Sequence, residues 1–346
     1  MDDVLIRVEE GIGRISLNRP KALHALNYGM CESIVDALRR WQHDTAIICV
    51  MIDHTEGRGF CAGGDIRMLA ESGAKDGADA RAFFHLEYQM NHLMFNYAKP
   101  IVVFMDGITM GGGVGIAMPC QYRVATEHTV FAMPETGIGL FPDVGGGWYL
   151  SRLPGRTGYW LALTGARING ADCCYLDIAT HYMRSENLAL LKAAILEDPE
   201  DLKGILNEFA GEAPSAPIET IREDIDRLFA GNVLEKILAD LAADTSGWGK
   251  PQLDILKTKS PQSCKIALRQ LREAAALSSF AENMKREYAL AAKIVVSHDF
   301  LEGVRAVIVD KDNAPKWSPA TPEELTGPML EAFFTPLPLH AEWEPL

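Results

Sequence analysis

The chain has 346 residues, 48% of them hydrophobic, enough for a substantial core in one large domain or one domain with an appendage. Its formal net charge of −14 repels nucleic acid and anionic membrane, so neither is an expected partner, although a local basic patch can still receive an anionic small ligand. Seven cysteines without a C-x-x-C pair point to reduced thiols and no structural metal; with the acidic N-terminus "MDDVLIRVEE" and no apolar run near ~20 residues, the expectation is a cytoplasmic protein with no membrane span.

"VLIRVEEGIGRISLNRP" alternates apolar and polar residues around Gly11 and Gly13, which predicts a β-hairpin ending at Pro20. Met30, Ile34, Val35, Leu38 and Trp41 recur at helical spacing over 27–41. "IICVMIDH" (47–54) reads as a buried strand, followed by the Gly-rich loop "EGRGFCAGGD" and a helix N-capped by Asp65. A longer helix is predicted over 80–97, then a buried strand over 99–107 that runs into "MGGGVGIAM". "YRVATE" and "TVFAM" are further strands. Alternation of strand and helix to about residue 183 predicts an α/β unit; 185–309 reads as helical with a break at "APSAPIE", and the Pro-rich tail reads as extended. The expected division is 1–183, 184–310 and 311–346.

No G-x-S-x-G elbow, H-E-x-x-H, phosphate-binding loop or complete G-x-G-x-x-G follows the strands. What remains is two Gly-rich strand-to-helix junctions, "FCAGGD" and "MGGGVG", and two acids in "MPETGIGLFPDVGGG" (133–147). Glycines let a ligand approach the backbone, and two such junctions side by side can aim two N–H groups at one carbonyl oxygen. One such turn alone would be read as tight packing; two beside a pair of acids point to chemistry. Gly137, Gly139 and Pro142 make a continuous helix from Glu135 to Asp143 improbable, so a turn must bring the two together. Asp143 taken alone reads better as the N-cap of a helix beginning in "PDVGGGWYL" than as a catalytic group. Glu135, between apolar segments, would have its pKa raised by desolvation and become a better base or nucleophile.

"LNRPKALHALN", "GFCAGGDI", "GITMGGGVGIAM" and "MPETGIGLFPDVGG" together resemble the crotonase, or enoyl-CoA hydratase/isomerase, superfamily. "FFHLEYQMN", "KSPQSCKIALRQL" and "HDFLEGVRAVIVDKDNAPKWSP" resemble its 3-hydroxyisobutyryl-CoA hydrolase branch. The resemblance implies an α/β fold, a crotonase-like ββα spiral core with a helical C-terminal region, and a coenzyme A thioester as substrate. It implies an oxyanion hole from the backbone N–H of Gly64 and Gly112. Coenzyme A would lie along Lys21, Ala22, Leu23, Ala62, Asp65 and Ile66, and Glu87, Gly112, Glu135 and Asp143 would contact the acyl group. No cofactor or metal is implied beyond the coenzyme A of the substrate. A homo-oligomer, trimer or hexamer, is implied by relatives.

The hydratases of this superfamily use two glutamates. Glu135 matches the second; the position of the first is Gly115, so two-glutamate hydration looks disabled. Asp143 stands where hydratases usually have glycine. In the hydrolase branch this pattern goes with thioester hydrolysis, as in valine breakdown, with Glu135 as nucleophile forming an acyl–enzyme anhydride or as general base on water. Asp143 would bind the substrate hydroxyl or position the glutamate. Glu87 is a substrate contact or a solvated helix acid; Phe83 and Phe84 one turn away favour partial burial. His24 receives no role, and Cys61 is expected to be structural. The alternatives are an enoyl-CoA hydratase or isomerase with a rearranged acid set, and a catalytically inactive coenzyme A-binding protein.

Overall fold

Gly11, at φ +78°, turns the chain between β1 (Val4–Glu9) and β2 (Ile12–Leu17), a backbone conformation that costs glycine nothing. The computed structural model describes residues 2–346, and this hairpin opens the larger of its two sheets. β2 pairs in parallel with β3 (Cys49–His54), and β5 (Ile101–Met105), β7 (Tyr122–Ala125) and β10 (His181–Tyr182) follow, giving the order β1-β2-β3-β5-β7-β10. The smaller sheet runs β4 (Gly59–Cys61), β6 (Ile108–Met110), β8 (Val130–Ala132) and β9 (Ile168–Asn169), with only β9 antiparallel. Three times over, as β3–β4, β5–β6 and β7–β8, the chain lays one strand in the large sheet and the next in the small sheet, followed by a helical turn.

The period-2 alternation of β3 shows why the large sheet is buried on both faces. Val50 and Ile52 join the main core, whereas Cys49 and Met51 face a second cluster under the helices Leu188–Glu197 and Leu202–Phe209. The expected strands and helices recur with shifts of a few residues: the predicted helix over 80–97 spans Ala78–Phe95, and Asp65 caps the helix Ile66–Gly73 by accepting from the Met68 N–H at 3.4 Å. β4, which falls in the expected Gly-rich loop, and β6, β9 and β10 are additional; with two or three residues each, they are too short for a readable period.

The helices Pro261–Ala274 and Phe280–Ile294, each N-capped by a serine, pack their buried faces against the core. The tail departs from an extended reading. It contains the helix Gly327–Phe334, and beyond it Trp343 is buried with its indole N–H donating to the His85 carbonyl at 3.2 Å. Burial of a large aromatic ring, not local sequence preference, holds this segment down.

Candidate active site

The small sheet delivers the site. β4, β6 and β8 are adjacent and parallel, so their C-terminal ends open on one side of the molecule. The residues just past those ends are Ala62–Gly64, Gly111–Gly112 and Pro134–Glu135, and all of them line one cavity of about 70 Å³. The helix Ala78–Phe95 closes it with Phe83, Phe84 and Glu87, and the loop after Glu135 closes it with Ile138, Leu140 and Asp143.

The two glycine-rich junctions touch. A Cβ placed on Gly112 would lie 2.6 Å from Glu87 Oε1 and 3.3 Å from the Gly64 nitrogen; one on Gly111 would lie 3.0 Å from Glu135 Oε1. Gly111 also takes φ +49° and ψ −120°, where a side chain is strained whatever the space. The amides of Gly64 and Gly112 and the carboxylates of Glu87 and Glu135 thus gather around the same few ångströms. Among the described residues, neither amide donates to any acceptor. Gly112 is buried and Gly64 half-buried, and both line the cavity, which leaves each amide free to donate to a group placed there.

Three carboxylates share this space: Glu87 is 2% exposed, Glu135 4% and Asp143 4%. Glu135 begins a short 3₁₀ turn, Glu135–Ile138, and that turn, not a continuous helix, brings it to Asp143. Its Oε2 has no hydrogen-bond partner among the described residues, nor has Glu87 Oε1. Burial pushes the Glu135 carboxyl well above its ordinary range, with the Asp143 charge adding to it. Glu87 is raised well above its range by burial, then by Asp143 and Glu135. Asp143 is raised to about 6 by burial, held back by a hydrogen bond from the Tyr88 hydroxyl at 2.8 Å. The capping role open to Asp143 is not taken: Gly145 caps the helix Gly146–Leu150, and the Asp143 side chain accepts from Tyr88. Glu87 is fully buried, beyond the partial burial that Phe83 and Phe84 foretell.

At Gly115 a side chain does not fit. A Cβ there would lie 2.6 Å from Val144 Cβ and 2.9 Å from Asn91 Nδ2. Val144 holds this position at φ +53°, a rare conformation for a β-branched residue. The space a first hydratase glutamate would need is filled.

The segment 21–23 lies against 62–66. Leu23 O accepts from the Ala62 N–H at 3.0 Å, and Leu26 links to both Gly63 O and the Asp65 N–H at 2.8 Å. Lys21 and Ala22 are exposed in the 3₁₀ turn Pro20–Ala22, and Leu23 is half-buried. Of the six residues proposed for coenzyme A, Ala62 and Ile66 line the cavity, while Lys21, Ala22, Leu23 and Asp65 stand outside it. The Asp65 carboxylate is already engaged by the Met68 N–H and by Arg19 at 3.2 Å. His24 is a buried strut: its Nδ1 accepts from the Arg19 N–H at 3.0 Å, leaving Nε2–H to donate to Glu56 O at 2.8 Å. Cys61 is fully buried with its thiol pushed up to about 12, chiefly by desolvation, so it is no nucleophile. Tyr88, Asn91 and Val144 escape a reading of the sequence. Tyr88 meets Asp143 across 55 residues and Asn91 donates to Gly115 O across 24, and no local pattern encodes either contact.

Residues 12–334 match the family model described as enoyl-CoA hydratase/isomerase. The chain is 44% identical to 3-hydroxyisobutyryl-CoA hydrolase, mitochondrial, of Xenopus laevis, over 94% of this chain and 86% of that protein. It is 41% identical to the protein of the same name from Homo sapiens, over 97% and 89%. Among solved structures, a carnitinyl-CoA dehydratase from Mycobacterium thermoresistibile superposes with TM-score 0.94 at 39% identity, covering 98% of each chain. The cytoplasmic location expected from the sequence is overturned by these curated relatives, whose names place them in mitochondria; an acidic start to the chain does not report its compartment. Among the described residues no helix is long and apolar enough to cross a membrane. A spiral of parallel strands ending on two unspent amides and a buried glutamate, together with these matches, shows that the chain belongs to the enoyl-CoA hydratase/isomerase family.

Proposed function

We propose that this chain is an acyl-CoA thioester hydrolase that cleaves 3-hydroxyisobutyryl-CoA, or a closely similar short hydroxyacyl thioester, into the hydroxy acid and coenzyme A. The observation that carries the reading is the juxtaposition of Glu135 with the two acceptor-free amides of Gly64 and Gly112. The thioester oxygen takes both N–H groups, which stabilise the developing oxyanion by ~2.7–4 kcal/mol each. Glu135 then attacks the carbonyl carbon; the C–S bond breaks, coenzyme A leaves as the thiol after gaining a proton, and water cleaves the resulting anhydride. The same position equally suits Glu135 as the base that removes a proton from an attacking water. Its raised pKa favours either role, because a carboxylate relieved of solvation is a stronger base and nucleophile.

Glu87 and Asp143 divide the remaining work. Glu87, its carboxyl raised by burial and then by Asp143 and Glu135, lines the same cavity and offers a hydrogen bond to the acyl group. Asp143, anchored by Tyr88, accepts from the substrate hydroxyl. Hydration, the reverse of the dehydration for which the Mycobacterium relative is named, is disfavoured because the side-chain space at Gly115 is occupied by Val144 and Asn91.

Purified protein given 3-hydroxyisobutyryl-CoA and a panel of short acyl-CoA esters should release free thiol, read with a disulfide reagent, fastest on the hydroxyacyl esters. Glu135→Gln should abolish release with coenzyme A binding near normal. Loss of enoyl absorbance without thiol release would overturn the reading in favour of hydration.

A further inference from the structure

The loop that presents Asp143 is held from behind by a buried acid that does not line the cavity. Glu287, on the helix Phe280–Ile294, is 0% exposed. Its Oε2 accepts from the Gly145 N–H at 2.7 Å. Its Oε1 accepts from the Gly147 N–H at 2.9 Å, from Asn283 Nδ2 at 2.8 Å and from Gln270 Nε2 at 3.0 Å. Gln270 Nε2 also donates to Pro142 O at 2.8 Å, so the same group of side chains grips the loop at both ends.

All four donors to Glu287 are neutral amides; no cation faces it among the described residues. Burying a carboxylate on these terms is costly, and a hydrophobic side chain of similar size would pack the same helix. What only a carboxylate offers is two acceptor oxygens, one for each loop amide. A glutamine has a single acceptor and would turn its NH₂ against one of the amides. The grip also accounts for Val144 at φ +53°, a conformation that persists only where the surroundings over-determine it.

We propose that Glu287 is a positioning residue for the hydrolysis: it fixes the loop Pro142–Gly147 and thereby the aim of Asp143. The inference rests on the hydrolase reading above. The test compares Glu287→Gln with wild type in thiol release from 3-hydroxyisobutyryl-CoA, together with hydrogen exchange of the peptide covering 142–147. The expected result is a kcat at least tenfold lower, a KM within threefold of wild type, and faster exchange at 142–147 than in the wild type, with the large sheet unchanged. Leu290→Ala, a truncation of a buried side chain one turn further along the same helix that makes none of the bonds to the loop, should keep kcat within twofold. That comparison separates positioning from general loosening of the helix. If E287Q does not fold, Gln270→Met removes one grip and should lower kcat about threefold with faster loop exchange. A kcat within twofold of wild type in the folded variant, or an equal loss in L290A, overturns the inference. A wild type that releases no thiol from any ester overturns the hydrolase reading itself, and this positioning role with it.

Discussion

Asp143→Asn should make the protein more stable and nearly inactive. The acid is 4% exposed, and its pKa is raised from 3.8 to about 6, first by burial. A carboxylate raised in this way penalises the folded state wherever it is ionised in both states. The penalty is full above the folded value, shrinks as pH falls through about 6, and is gone below about 4, where the unfolded chain is protonated too. Roughly two pH units at about 1.36 kcal/mol each give a cost of about 3 kcal/mol at pH 8. Asparagine keeps the shape and the acceptor oxygen for the Tyr88 hydroxyl but carries no charge. With unfolding entropy of about 2.1 cal/mol/K per residue, the variant should melt about 4 °C above wild type at pH 8. The advantage should vanish near pH 4. Thermal unfolding at pH 8, 6 and 4 reads it directly, beside thiol release. A D143N midpoint at or below that of wild type at pH 8 would refute the claim that Asp143 is held as a strained buried charge.

Gly112→Ala should cut thiol release at least a hundredfold, because its methyl would press on Glu87 Oε1 and the Gly64 amide; a rate within threefold of wild type, measured with the same reagent, sinks the proposed oxyanion site. Gly115→Glu should restore no hydration of an enoyl thioester and should destabilise the fold by about 1–3 kcal/mol, since Val144 and Asn91 must move; denaturant unfolding and enoyl absorbance check both halves. Cys61→Ser should retain most of its activity over pH 6–9, and a collapse of kcat measured on correctly folded protein would bring back the thiol as a reacting group.

Much of this architecture is written locally. The β-branched run of 47–54 and the alternation around Gly11 specify strands, and Asp65 ahead of an apolar helix specifies a cap, because each depends on neighbours within a few residues. Glu135 is legible for the same reason: apolar residues on both sides of an acid foretell a desolvated one. Asp143 is ambiguous, since Pro-Asp-x-Gly suits a cap, and only the Tyr88 hydroxyl, 55 residues away, shows its side chain turned inward. The grip of Glu287 on Gly145 spans 142 residues, and the docking of Trp343 on His85 spans 258. Such contacts are properties of packing, and a single sequence carries no period or spacing that announces them. The tail shows the same limit, for prolines forbid long helices but do not forbid the eight residues of Gly327–Phe334.

The order in which the small sheet is laid down has a further consequence. Its three parallel strands present Gly64, Gly112 and Glu135 of the proposed site one winding at a time, with Glu87 following in the first winding and Asp143 in the last. A register slip of one residue in β6 would shift Gly112 by about 3.3 Å, as far as the contact distances that define the site. Catalysis therefore has no local seed: a chain with two windings in place is as inert as an unfolded one. Turnover in a refolding experiment should consequently appear in a single late phase, trailing helical signal, and so serves as a clock for completion of the whole coil.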